Sequence, residues 1–183
     1  MTSKLKIAIT GHTKGLGAAL YEHFINTGHE VSGFSRSLGY ILPFKMQEVL
    51  TLADDADVFI NNALPVTAQV SLLYQLYHRW KDKQKIILTV GSHTTDDFHS
   101  EPNQYYAEKF GLDAACKNLR KLNPVCKIIL IRPSYFASER VLRTVKPEHY
   151  IEMDEMCKLV DYVISSKIHI EDMLFQQGRW QTN

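Results

Sequence analysis

Apolar positions along the chain recur with two alternating periods, one of two residues and one between three and four, and the alternation marks out strands and helices in turn. Leu5, Ile7 and Ile9 alternate, so Lys4–Thr10 reads as a strand. Leu16, Leu20 and Phe24 then repeat every four residues, which predicts a helix over Gly15–Thr27 stopped by Gly28. Glu30–Phe34 reads as a second strand, Tyr40–Leu42 as a weak third, and Phe44–Ala53 as a short helix through Met46, Val49 and Leu50. Asp57–Asn61 is a fourth strand, after which Pro65 takes the first position of a helix reaching about Trp80. Lys85–Val90 and Cys126–Ile131 are continuous apolar runs of the kind buried on both faces of a parallel sheet. Between them Pro102 opens a helix that Asn123 and Pro124 end near Leu122. A loop over Pro133–Tyr150, a helix over Glu152–Ser166, a strand over Ile168–Phe175 and a polar tail from Gln176 complete the pattern.

Repeated strand-helix-strand units of this kind imply a doubly wound α/β fold, with a parallel sheet covered by helices on both faces. In such folds ligands sit beyond the carboxyl ends of the strands. At 183 residues one domain is expected, occupying 1–175. The charge changes the picture by exclusion: 21 Lys and Arg against 20 Asp and Glu leave +1, without the basic excess of a phosphate-backbone binder. The first ten residues alternate straight into glycines and leave no room for a secretory signal, and no apolar run nears the roughly 20 residues of a membrane span. A cytoplasmic protein is expected, with no nucleic-acid or membrane partner. Cys116, Cys126 and Cys157 form no CxxC and are expected to be reduced, mostly buried thiols.

Chemistry-bearing residues follow the strands. After the first comes Thr10-Gly11-His12-Thr13-Lys14-Gly15-Leu16-Gly17, a glycine-rich turn opening a helix, where free N–H groups and the helix dipole attract a pyrophosphate. It is not a Walker A loop, because Lys14 precedes the second glycine. Asn61-Asn62-Ala63 ends the fourth strand and Gly91-Ser92 follows the fifth. Tyr105 comes thirteen residues after Ser92, and Lys109 lies four further on, on the same helix face. A lysine ammonium there favours the phenolate, which lets the tyrosine act as an acid or base, while a strand-end serine holds a carbonyl.

The segments TGHTKGLG, NNA, a strand-end Ser, YYAEK and RPS together resemble the short-chain dehydrogenase/reductase family over nearly the whole chain. The resemblance implies a Rossmann fold in three layers, hydride transfer between a nicotinamide and a carbonyl or alcohol, and a homo-oligomer, dimer or tetramer. By that resemblance Tyr105 is the general acid/base, Ser92 orients the carbonyl, and Lys109 bonds the nicotinamide ribose and tunes Tyr105. Gly11, Gly15 and Gly17 line the diphosphate, Thr13, Lys14 and Leu16 on the same turn also bind the cofactor, Asn62 and Ala63 flank the adenosine, and Pro133 borders the nicotinamide. The end of the second strand reads Phe34-Ser35-Arg36-Ser37, with no carboxylate to bond a ribose 2′-hydroxyl; Ser35, Arg36 and Lys14 suit a 2′-phosphate, so NADP(H) is expected over NAD(H).

The sequence departs from the family in places. No Asn stands on the helix after Pro65 to serve the family's proton relay, and the polar candidates there, Gln69 and Gln75, are not assigned that role. Leu64 and Ser134 stand where the family has glycine, and the substrate loop is short. These departures keep a second function class open, a non-catalytic module that binds or senses NADP(H). Other residues take the ordinary reading: Tyr106 as a packing or substrate-side aromatic, Tyr74, Tyr77 and Trp80 as core or interface, His12 and His93 as partly exposed loop side chains. Arg140, Arg143, Lys146 and His149 read as a solvated loop, and no metal-ligand spacing is present.

Overall fold

A computed structural model describes residues 4–97, 101–146 and 148–176. Its six strands are β1 (Lys6–Thr10), β2 (Glu30–Phe34), β3 (Val58–Asn61), β4 (Ile86–Val90), β5 (Lys127–Pro133) and β6 (Asp172–Phe175). Every pairing is parallel, in the order β2-β1-β3-β4-β5-β6. The helices are α1 (Gly15–Asn26), α2 (Met46–Leu52), α3 (Val66–Trp80), α4 (Gln104–Arg120), α5 (Glu139–Thr144) and α6 (Met153–Ser165).

The period of two along the central strands divides the core into two layers. Ala8, Phe59, Ile87, Ile128 and Leu130 point to the face covered by α2, α3 and α4. Ile7, Ile9, Val58, Ile60, Leu88, Ile129 and Ile131 point to the other, under α1 and α6. Strands buried on both sides must be apolar at nearly every position, which is why β3, β4 and β5 show no polar alternation. Within the helices the same logic selects stripes: Leu16, Leu20 and Phe24 on α1, and Leu72, Leu73, Leu76, Tyr77 and Trp80 on α3, are buried. Tyr77 and Trp80 are thus core residues, as their spacing suggests, and all three cysteines are free and buried.

The direction in which strands are added to the sheet reverses between β1 and β3, since β2 lies on one side of β1 and every later strand on the other. That switch point opens a crevice above the carboxyl ends of β1 and β3. The glycine-rich turn and Asn61-Asn62-Ala63 both emerge there.

Three expectations need correction. Tyr40–Leu42 is not a strand: Pro43 brings no N–H to a ladder, and Tyr40 instead bonds back to the Ser35 carbonyl at 3.0 Å and sets its ring on Phe34. A 3-10 turn over Arg36–Leu38, closed by Gly39, precedes this stretch, and a turn over 42–45 follows it into α2. The segment between Pro133 and Tyr150 is not plain loop. It contains α5, whose first turn is capped where the Ser138 hydroxyl accepts from the Val141 N–H, and Phe136 pairs with Ile151. The last strand is four residues long, with 168–171 outside the ladder. At α3 and α4 the proline positions shift outward by a residue or two. Pro65 precedes Val66 as N-cap, and the Asn103 side chain caps α4 through the Tyr106 N–H at 3.0 Å. The polar tail beyond Gln176 lies outside the described residues.

Candidate active site

Gly11 (φ +74°) and Gly15 (φ +56°) occupy left-handed backbone, which turns the chain sharply out of β1 and into α1. Gly17 is excluded from any larger side chain by contact: a Cβ there would lie 2.2 Å from the Gly11 carbonyl oxygen. The turn is held by Thr10, whose hydroxyl accepts from the Asn62 and Ala63 N–H groups at 3.0 and 3.1 Å. The Asn62 side chain donates to the Thr10 carbonyl at 3.1 Å, and the Gly11 N–H to the Phe34 carbonyl at 2.7 Å. Asn62 and Ala63 therefore pack directly beneath Gly11. Thr10 is a residue the sequence reading left without a role; a buried hydroxyl at a strand end is the signal that marks it.

Helix α1 begins with no acidic side chain in its first turn and no side-chain cap on its first N–H groups. Bare backbone donors, a helix dipole of 12 residues and the exposure of Gly15 fit a diphosphate. Leu16 can offer that site only its backbone, because its side chain is in the core. Ser138 stands 3.9 Å from where a Gly15 Cβ would be, so the segment after β5 reaches over the turn. Thr13 accepts from Ser37 at 3.4 Å, and Ser37 meets the buried Ser35 at 3.0 Å, joining the turn to the end of β2. Lys14 and Arg36, both exposed, flank this seam. His12 is partly exposed, as expected; its ring fills the space left by Gly33, lies 4.9 Å from the Tyr21 ring, and has its pKa pushed down by burial.

The second cluster forms at the end of β4. Ser92 begins a 3-10 turn, its hydroxyl accepting from the Thr94 N–H at 3.3 Å. Tyr105 stands in the first turn of α4, 43% exposed, with the Lys109 ammonium nitrogen 5.7 Å from its ring centre. Lys109 itself is 3% exposed, on the buried stripe formed with Leu112, Asp113 and Cys116. Its Nζ donates to the Val90 carbonyl at 2.8 Å and to Gln69 Oε1 at 2.9 Å. Loss of hydration holds its pKa down to about 8, with Asp113 and Glu108 pulling it back up. Val90 lies two residues before Ser92, so the lysine is bound to the strand that delivers the serine.

The turn carrying Ser92 is fixed from outside as well. Asp96 on that turn pairs with Arg132 of β5, which also bonds Asp172 of β6 at 2.9 Å. His93 bonds Asp97 at 3.2 Å and touches Gln176. Pro133 is buried opposite Phe175, and the Ser134 N–H donates to the Phe175 carbonyl at 2.7 Å. A cleft of about 460 Å³, lined by Ile151, Leu159, Leu174, Phe175 and Gln176 among others, opens at this edge rather than over Tyr105. Tyr106 stacks on Phe110, which agrees with a packing role, and Arg140, Arg143, Lys146 and His149 are exposed. Among the described residues no helix is long and apolar enough to cross a membrane.

No protein-family model matches the chain, and no curated protein matches it in sequence. Solved structures do match in fold. A short chain dehydrogenase from Burkholderia cenocepacia in complex with NADP superposes with a TM-score of 0.79 at 17% identity, covering 95% of this chain and 89% of that one. A 4-hydroxyisoleucine dehydrogenase complexed with NADH gives 0.76 at 16% identity, over 96% of this chain and 98% of the other. A 3-ketoacyl-(acyl-carrier-protein) reductase from Brucella melitensis complexed with NADH gives 0.73 at 15% identity, over 98% and 99%. Over nearly its whole length, then, this chain has the Rossmann-type fold of the short-chain dehydrogenase/reductase structures.

Proposed function

We propose that this chain is a shortened short-chain dehydrogenase/reductase that transfers hydride between NADP(H) and a small carbonyl or alcohol substrate. The observation that carries the reading is the buried lysine: an ammonium 3% exposed, held to the end of β4 and lying beneath the ring of an exposed tyrosine. Burying a lysine costs free energy that a merely structural position would avoid with an apolar residue. Perturbed titrating groups of this kind concentrate where chemistry is done.

In this reading the first turn of α1, with Gly11, Gly15 and Gly17, holds the diphosphate, while Asn62 and Ala63 flank the adenosine. Lys14, Ser35 and Arg36 would receive the 2′-phosphate, with Thr13 beside them on the glycine-rich turn, and Pro133 would border the nicotinamide. When bound, the nicotinamide supplies or accepts the hydride. The chain supplies the rest. Ser92 donates to the carbonyl oxygen and fixes its direction, and Tyr105 delivers a proton to that oxygen as negative charge develops on it. Charged Lys109 favours the phenolate left behind, and it is the residue that would hold a ribose hydroxyl of the bound cofactor. In the alcohol-oxidising direction the same groups run in reverse. Cytoplasmic location and a homo-oligomeric state belong to the same proposal.

Calorimetric titration with NADPH and with NADH at one ionic strength tests the binding half without any choice of substrate. NADPH is expected to bind at least tenfold tighter, a difference of about 1.4 kcal/mol. Absence of binding by both would end the proposal. Binding without turnover across a panel of aldehydes and ketones would leave the non-catalytic binding module instead.

A further inference from the structure

Beneath Lys109 runs a chain of buried polar contacts that the reading above does not use. Gln69, fully buried in the first turns of α3, donates from Nε2 to the Asn61 carbonyl at 2.8 Å and, more weakly, to the Val90 carbonyl at 3.4 Å. Asn61, fully buried at the end of β3, returns a bond from Nδ2 to the Gln69 carbonyl at 2.9 Å. The amide of Gln69 is thus clamped through both its side chain and its backbone. Two carbonyl acceptors on Nε2 fix the orientation of the amide, so its oxygen must face away from them, toward the Lys109 ammonium.

We propose that Gln69 is the positioning residue for Lys109, setting where the ammonium stands beneath Tyr105. The inference rests on the assignment of Tyr105 and Lys109 as the working pair. An ammonium has three donor hydrogens, and Gln69 Oε1 with the Val90 carbonyl takes two, which leaves one directed by exclusion toward the tyrosine side. Only a carboxamide meets both demands at this point. A carboxylate has no hydrogen for the Asn61 carbonyl, and an apolar side chain would abandon three buried groups.

Neutrality of the clamp matters as much as its geometry. On its own helix Lys109 faces Glu108, Asp113 and the Tyr105 phenol; from α3 and β4 it meets the Gln69 amide and the Val90 carbonyl, both uncharged, while β5 and the turn after β4, packed against the same helix, carry Arg132 and Asp96, which pair with each other. Among the described residues no carboxylate bonds the ammonium, and Asp113 and Glu108 offset its burial only from a distance, so the lysine is held where it can change charge close to neutral pH. Placing a charge at position 69 must therefore move its titration, which simple support of the fold does not demand.

The test is a proton–carbon NMR titration of the protein with 13C-labelled lysine, the Lys109 cross-peak being assigned by its loss in Lys109→Met. In the parent protein Lys109 is expected to titrate well below the other lysines. In Gln69→Glu, nearly the same shape, its midpoint should rise by about one pH unit or more. In Gln69→Leu turnover of a carbonyl substrate should fall roughly 10- to 100-fold as the ammonium loses its place. Should Gln69→Leu fail to fold, Gln69→Glu alone decides. An unchanged midpoint in Gln69→Glu overturns the inference. The titration needs neither cofactor nor substrate, so it is read even from a protein that turns nothing over. Where turnover is measurable, the alkaline limb of its pH profile should shift with the cross-peak. A cross-peak that moves while the limb stays would leave Gln69 as the lysine's positioner and count against Tyr105 and Lys109 as the working pair.

Discussion

The two halves of the sheet build their ends by different means. At β1–β3 the site is made of backbone: a turn with positive φ at Gly11 and Gly15, a close approach at Gly17, and the uncapped start of α1. At β4–β6 it is made of side chains that meet across long stretches of sequence, Lys109 with Gln69 forty residues away and Arg132 with Asp96 and Asp172. A backbone site presents fixed dipoles and suits a ligand whose charge does not change. A buried side-chain site sets how readily a proton moves, and its properties depend on what excludes water from it. Binding and proton transfer should therefore come apart under substitution.

The largest separation is expected in Tyr105→Phe. Turnover should fall about 10³-fold while NADPH affinity stays within about twofold, measured by steady-state rates and calorimetry on one preparation. Retained turnover would take Tyr105 out of the chemistry. Gly17→Ala should act on the other half: with a methyl set against the Gly11 carbonyl, the turn must open, and NADPH affinity should drop roughly 100-fold alongside about 1–3 kcal/mol of stability. Normal binding by that variant would show that the turn tolerates a rearrangement the contact distances do not suggest.

Smaller effects should follow at the rim. Arg36→Ala and Lys14→Ala are each expected to weaken NADPH about tenfold at low salt and leave NADH nearly unchanged, with the difference shrinking as ionic strength rises. Equal losses for both cofactors would remove these two residues as readers of a 2′-phosphate. The smallest effect concerns stability. Lys109 has a folded pKa of about 8 against the ordinary 10.5, so between those values the unfolded chain binds more protons than the native one. Stability should rise with pH across that window and lose this contribution as pH falls through 8. Denaturant unfolding of the parent protein and Lys109→Met at pH 7.5 and 10 reads it out, and a stability difference that does not move with pH would argue that the lysine is more hydrated than its burial indicates.

The glycine turn could be read from the sequence because its cause is local. Strand, glycines and helix start follow one another in a dozen residues, and only glycine meets the backbone requirement. The α/β alternation was legible for a similar reason, since burial on two faces leaves its mark on nearly every position of β3, β4 and β5. Tyr40–Leu42 misled because three apolar residues look like a strand whether or not a neighbouring strand accepts them. Gln69 carried a signal that composition alone does not weight: a polar side chain set between Val66 and Leu73 on an apolar helix stripe, as Lys109 is set among Leu112 and Cys116. What that signal meant was beyond the sequence. Periodicity says that a residue is buried, while its partner is chosen by which helices cross the sheet side by side. Only the packing of α3 against α4 over the ends of β3 and β4 brings Asn61, Gln69, Val90 and Lys109 together. The sequence by itself determined the layers and the glycine-rich turn, which depend on neighbours along the chain. The tertiary structure decided the charge and position of the lysine, which depend on groups that the chain brings back from far away.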